Sequence, residues 1–311
     1  MTVTSNLSLT PSIGRFPTRR GRLLRDRLAT IAIVGSFIVV LIPLAAVIGY
    51  VLAKGASVVD WQFLTTSPIQ NRPDQPDTAE VFGQVLKFGM QPAVIGTLVV
   101  TGLATLLAVP VGVFGGIYLN EYGGRGTLAT VLRFFTDCMT GVPSVVMGLF
   151  VFTVIVLNTQ ERTGLAGAIA LAFLMLPVVI RSTEEMLRLV PNDQREASLA
   201  LGCRKAGTIM RIVLPAAAPG IVSGALLAVA RAAGETAPLL FVIGITYRTN
   251  WNPFAGETTT LSVQTYMNAA QPYSTAVDRA WGAALTLIVI AFAATIVARI
   301  VTNRIQARAG K

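Results

Sequence analysis

At 311 residues the chain could form one or two soluble domains, but 53% of it is hydrophobic, only 13% is charged and its mean hydropathy is +0.65, too apolar for a water-facing globule. It has no histidine, which excludes imidazole metal sites, Ser-His-Asp triads and imidazole general bases, and its two cysteines, Cys138 and Cys203, make neither a disulfide framework nor a metal cluster. A net charge of +10 would suggest nucleic acid in a soluble protein, but here the placement of the charges assigns it to membrane topology.

Residues 1 to about 17 are rich in Ser, Thr, Asn and Pro and predict a disordered tail. With the arginines up to Arg27 they form an N-terminal segment, 1–27. Six strongly apolar stretches without Asp, Glu, Lys or Arg follow, at 28–53, 88–120, 138–160, 163–180, 212–230 and 280–298. A membrane-spanning helix needs roughly 20 apolar residues, and each stretch meets or nearly meets that length. The spans are placed at about 28–53, 94–119, 138–158, 163–181, 216–245 and 280–299, making 28–311 one all-α transmembrane domain. The first stretch far exceeds a signal-peptide core of roughly 7–15 residues, so it is expected to be a retained helix.

In the connection from Lys54 to Gln91, Pro68, Pro73 and Pro76 argue against a continuous helix. Gly112, Gly115, Gly116, Gly141 and Gly148 suit close helix packing. Pro110, Pro143 and Pro177 can kink spans or open backbone carbonyls to a cavity. Residues 258–277 are uncharged but filled with Thr, Ser, Gln, Asn and Pro, which predicts an ordered loop.

Orientation follows from Lys and Arg in the connections. Eighteen fall before the first span, in the second and fourth connections and in the C-terminal tail, against six on the other side, with Arg231 left over. The basic side is the cytoplasmic one, both termini are inside, and the chain is a multi-pass plasma-membrane protein.

The fourth connection carries Pro191-Asn192-Asp193-Gln194-Arg195-Glu196-Ala197-Ser198-Leu199-Ala200-Leu201-Gly202, followed at a distance by Ile212-Val213-Leu214-Pro215. Asp193 and Glu196 predict a capping-box-like start, small and straight-chain residues favour a short helix over about 193–202, and Gly202 is placed to end it. Pro215 and Pro219 suit the first turn of the next span. Beyond them Arg231 falls about 18 Å into a span starting near Pro219, with Glu235 at i+4 on the same face. An arginine at that depth costs on the order of 2.5–3.5 kcal/mol, which a protein-lined or watery cavity makes tolerable. The Arg231–Glu235 pair is either an element of a permeation path or an internal pair that holds helices together. A guanidinium fork matches tetrahedral oxyanions, and a protonated phosphate could donate to Glu235 where sulfate could not.

Glu196-Ala197, Gly202, Ile212 and Leu214-Pro215 resemble the EAA motif of ABC-importer permeases, with Ser198 in place of the third small residue. In that family the helix docks in a groove of the ATP-hydrolysing subunit, so the resemblance implies an ABC importer type I permease fold with a short cytoplasmic coupling helix. It also makes Glu196, Ala197, Ser198, Ala200, Gly202, Leu214 and Pro215 the residues that couple to the ATPase. Arg231-Ala232-Ala233-Gly234-Glu235-Thr236, continued by Ala237-Pro238-Leu239-Leu240, looks like the corresponding segment of phosphate-specific ABC importer permeases of the PstA type. Arg181-Ser182-Thr183-Glu184-Glu185 is also similar to that group. By resemblance Arg231, Glu235 and Arg181 lie on or near the phosphate pathway, although Arg181 also fits a membrane-interface anchor.

The resemblance further implies a second homologous permease subunit, a cytoplasmic ATPase dimer and an extracytoplasmic phosphate-binding protein. The sequence contains no P-loop pattern, so no cofactor is expected on this chain, and ATP and Mg enter through the partner ATPase. Membrane lipid is the expected surrounding and nucleic acid is not an expected partner. Another oxyanion, such as sulfate or molybdate, remains open as cargo. A secondary anion carrier is the alternative from a different class, although it has no use for the 196–215 pattern.

Overall fold

The computed structural model describes residues 20–67, 78–81, 84–87, 89–124 and 126–309. The chain divides into two units, 1–50 and 51–311. Helix α1 (Arg20–Gly55) is all that is described of the first unit and runs on into the second. It begins inside the expected 1–27 tail, because Arg and Leu at 20–27 are good helix formers. The expected disorder at 1–17 lies outside the described residues.

In the second unit α2 (Trp61–Thr65) is capped by Asp60, whose carboxylate accepts from the Phe63 N–H at 2.7 Å. A short antiparallel hairpin of β1 (Thr78–Val81) and β2 (Gln84–Lys87) follows, Thr78 opposite Lys87. The remaining elements are α3 (Gln91–Tyr122), α4 (Thr127–Gly141), α5 (Ser144–Thr159), α6 (Gly164–Arg188), α7 (Asn192–Ala200), α8 (Lys205–Ala233), α9 (Leu239–Val242), α10 (Leu261–Ala269) and α11 (Ser274–Ala309). Among the described residues, helices α1, α3, α6, α8 and α11 are long and apolar enough to cross a membrane, and α4 with α5, bent by 107° at their junction, brings the number to six where the pair counts as one broken span.

Helix α6 is the axis of the second unit, with α3 along one side and α8 along another. Its Leu171, Met175 and Val179 are fully buried with Val100, Ala104 and Ala108 of α3, Val151 of α5, and Ala228 and Ala232 of α8. Inside a bilayer apolar burial drives little, so the fit of small residues decides how near helices come. A Cβ placed on Gly112 would stand 2.7 Å from Cβ of Val179, and one on Gly116 would stand 2.6 Å from Cβ of Thr183. The α3–α6 crossing therefore needs glycine at both positions. Gly116→Val is expected to destabilise the fold by about 1–3 kcal/mol, read as a lower melting midpoint in detergent. Gly102→Ala, where nothing lies within 4 Å, should leave the midpoint unchanged.

Three expected boundaries are corrected. The span placed at 138–158 is not one straight helix, because the chain turns at Gly141–Pro143 between α4 and α5. The span placed at 216–245 ends at Ala233, where Gly234 caps the helix. The apolar run beyond it owes its composition to burial in protein and not to lipid: Leu239, Val242 and Ile243 sit in the core. Helix α8 also starts earlier, at Lys205, and widens into a π turn at Ile209–Val213 just before Pro215, whose ring cannot donate to the ladder and crowds the preceding turn. Finally, the uncharged segment expected as a loop at 258–277 contains α10. Its Ser262, Gln264 and Asn268 are buried and hydrogen-bonded at home: Ser262 Oγ donates to the Glu235 carbonyl at 3.0 Å, and Asn268 Nδ2 donates to the Gln264 carbonyl at 2.8 Å.

Candidate functional site

The turn between α4 and α5 follows from a dipeptide. A residue before proline is pushed out of the helical region, and Val142 accordingly sits at φ −74°, ψ 128° ahead of Pro143. This corner walls a cavity of about 240 Å³. Val142, Pro143 and Ser144 line it from the corner, Pro177 from α6, and Arg231 and Glu235 from the end of α8. Pro143, at the bend between α4 and α5, and Pro177 of α6 both line this cavity.

Arg231 lies in the last turn of α8 and Glu235 two residues past its end. The pair therefore does not share one helix face, as expected from the sequence, but meets across the break: Arg231 Nε stands 3.7 Å from Glu235 Oε1. That is an ion pair too long to be a hydrogen bond. The Arg231 side chain is 73% exposed and that of Glu235 23%, and among the described residues Glu235 is the one ion partner of Arg231. The chain itself places a cation at the cavity whose donors are almost entirely uncommitted.

Arg181 does not join them. Its guanidinium pairs with the Asp137 carboxylate of α4 and stands 3.7 Å from Glu184 Oε2. Glu184 is 2% exposed and also receives Arg133 Nε and Arg188 Nη2, both at 3.1 Å. One buried carboxylate thus gathers three arginines and fastens α4 to α6.

Helix α7 lies at the same end of the unit. Its N-cap is Pro191, with no side-chain cap bond, so Asp193 is not the cap; it sits in the first turn, where its charge still favours the helix dipole. The C-terminus is a Schellman closure: the Gly202 N–H donates to Leu199 O at 2.9 Å and the Cys203 N–H to Ser198 O at 3.2 Å, with Gly202 at φ +81°. Glu196, Ala197, Leu199, Ala200 and Leu201 are exposed. Ser198 is buried, with Thr208 Oγ1 2.9 Å from its hydroxyl. Of the expected coupling residues, then, Ser198 faces its own chain and ties α7 to α8. Leu214 is half-buried against Leu187, Val190 and Val213, while Pro215 is exposed.

Sequence reasoning passed over Glu121, Arg133, Glu184 and Arg195. Arg195 Nη2 lies 2.8 Å from Glu121 Oε1, with both side chains largely buried. A signal was present: Glu121 and Glu184 are carboxylates at the ends of apolar stretches on the arginine-rich side, where an acid needs a partner.

Comparison with known proteins agrees with this architecture. The family model described as binding-protein-dependent transport system inner membrane component matches residues 108–311. Over 275 residues the chain is 42% identical to the phosphate transport system permease protein PstA 1 of Mycobacterium tuberculosis (strain CDC 1551 / Oshkosh), covering 88% of this chain and 87% of that one. Over 209 residues it is 45% identical to the phosphate transport system permease protein PstA of Haemophilus influenzae (strain ATCC 51907 / DSM 11121 / KW20 / Rd), covering 66% and 73%. A chain of a bacterial alginate ABC transporter, solved with an alginate pentasaccharide-bound periplasmic protein, matches with a TM-score of 0.64 at 16% identity, covering 92% of this chain and 97% of that one. A chain of an inward-facing methionine ABC transporter matches with a TM-score of 0.58 at 17% identity, covering 68% and 94%. At such identities the likeness concerns the fold, which is that of ABC importer type I permeases. With five helices long and apolar enough to cross a membrane and a bent pair beside them, an exposed helix between α6 and α8, and a family model that matches residues 108–311, the chain belongs to the binding-protein-dependent transport system inner membrane components.

Proposed function

We propose that this chain is the permease subunit of an ATP-driven importer that moves inorganic phosphate into the cytoplasm. The observation that carries the reading is the Arg231 guanidinium, exposed at the cavity beside the Val142–Pro143 corner and only loosely held by Glu235. A guanidinium offers planar, paired donors to a tetrahedral oxyanion. Glu235 competes for the same cation, so an anion binds without being trapped. Its carboxylate can also accept a hydrogen bond from the O–H that phosphate retains near neutral pH. The relatives named as phosphate transport permeases support the same cargo.

In this reading the end of the bundle that carries α7 is cytoplasmic, as are both termini. The exposed face of α7, with Glu196, Ala197 and Ala200, docks on a cytoplasmic ATPase dimer, which binds ATP and Mg. A second homologous permease completes the pore, and an extracytoplasmic phosphate-binding protein delivers the cargo. Arg181, tied to Asp137 and Glu184, belongs to the scaffold around the path.

The test is uptake of radiolabelled phosphate into proteoliposomes that hold the assembled complex. Uptake is expected to require ATP inside and the binding protein outside, and excess sulfate or molybdate should not compete. Uptake that follows an ion gradient without ATP would overturn the proposal in favour of a carrier. Competition by sulfate would reassign the cargo.

A further inference from the structure

We infer that the π turn Tyr118–Tyr122 at the end of α3 passes movement of α7 to the wall of the cavity, with Glu121 as the positioning residue; this rests on the ATP-driven reading above. A π turn inside an α-helix shifts the hydrogen-bond ladder by one residue, and such turns are frequent at functional sites. Here the Gly123 N–H donates to Tyr118 O at 2.7 Å, which leaves Leu119 O free of the helix. Arg133 of α4 takes that carbonyl, its Nη2 donating at 2.7 Å, while its Nη1 donates to Gly124 O at 3.2 Å.

Helix α7 grips the same turn. Glu121 Oε1 accepts from Arg195 Nη2 at 2.8 Å, from Arg195 Nε at 3.3 Å and from Asn120 Nδ2 at 2.8 Å. The guanidinium continues past it, donating to Val190 O at 2.6 Å and Leu187 O at 2.8 Å, so it also closes the C-terminal end of α6. The start of α8 adds a third hold: Lys205 Nζ sits 4.8 Å above the Tyr122 ring.

The turn is therefore fastened to α4, α7 and α8 at once, through Leu119, Glu121 and Tyr122, and the bond from Arg195 to Glu121 is charge-assisted and largely buried. Such bonds are short, directional and stiff. Displacing α7 must move the turn with it. The turn pulls on Arg133, and α4 runs from Arg133 to Gly141 and into the Val142–Pro143 corner that lines the cavity. By chain connectivity α7 joins α6 to α8, the fourth and fifth of the expected spans. The turn adds the second and third.

Glu121→Gln tests this, because it removes the charge that Arg195 meets on α3 while leaving the guanidinium on the α6 carbonyls. The assembled transporter in proteoliposomes, supplied with the binding protein and inorganic phosphate, is read for phosphate taken up per ATP hydrolysed. That ratio is expected to fall about tenfold, with the ATPase rate and the yield of complex within about twofold of wild type. An unchanged ratio overturns the inference. So does a parallel fall in uptake, hydrolysis and yield, which is what a merely structural pin would give. Should Glu121→Gln not assemble, Tyr122→Leu, which removes only the ring under Lys205, must lower the same ratio by a smaller factor; an unchanged ratio there has the same consequence. If the wild-type complex takes up phosphate without ATP, the importer reading itself fails. If the wild type is ATP-driven and Glu121→Gln keeps its ratio, only the role of the turn fails.

Discussion

Arg231→Gln is expected to lower phosphate uptake by about a hundredfold, the loss of a charge-assisted bond of roughly 2–3 kcal/mol between the guanidinium and the anion, while complex yield and melting midpoint stay at the wild-type level. The two halves of this expectation have separate causes. Stability is indifferent because the Arg231 side chain is 73% exposed and 3.7 Å from its partner, and an exposed ion pair contributes roughly 0–1 kcal/mol. Transport is not, because glutamine offers a single amide where the anion would meet a charged fork. Arg231→Lys separates charge from shape: it keeps the cation without the planar donor pair and should fall between wild type and Gln. Uptake of labelled phosphate at matched complex concentration measures all three. If Arg231→Gln instead transports normally but yields little complex, the pair is a structural clasp and the cavity loses its cation.

The long apolar helices and the exposed helix α7 were legible because lipid imposes a simple code: some twenty residues without charge, with arginines held on one side. Gly112 and Gly116 were legible for a related reason, since only glycine lets two helices touch. The code fails where apolar residues are buried in protein. Residues 236–247 are as apolar as a span, yet α8 ends at Gly234 and the segment buries Leu239, Val242 and Ile243 in the protein core. It fails in the opposite sense at α10, where Ser262, Gln264 and Asn268 are polar but satisfied by neighbours. Arg231 and Glu235 were identified by the oddity of charges in an apolar run, although their geometry was misplaced by assuming one continuous helix. Glu121 and Arg195 stand 74 residues apart. Each has ordinary surface neighbours in sequence, so their meeting depends on how α3 and α6 pack, which no local pattern encodes.

Glu184→Gln should do the reverse of Arg231→Gln and weaken the fold itself, by about 3 kcal/mol, the cost of breaking a buried ion pair by removing one partner. The Glu184 carboxylate is 2% exposed and is the common anion of Arg133, Arg181 and Arg188. Its Oε1 accepts from two guanidinium groups, whereas Oε2 is buried without a hydrogen-bond partner among the described residues. An amide of the same shape would keep one acceptor. Its NH2 would then confront guanidinium donors, leaving three cations gathered around a neutral group. The bond between α4 and α6 should loosen first, read as a lower melting midpoint in detergent and earlier proteolysis near α4. Asp137→Asn is the matching control: its partner Arg181 is shared with Glu184, but Asp137 itself is 54% exposed, so water screens it and the loss should stay within about 1 kcal/mol. Uptake by Glu184→Gln will fall too, so uptake alone cannot tell scaffold from path. The discriminating quantity is uptake per folded complex. If that value is unchanged for Glu184→Gln and collapses for Arg231→Gln, the buried carboxylate holds the walls and the exposed guanidinium serves what passes between them. If both variants lose stability equally, Arg231 belongs to the scaffold as well.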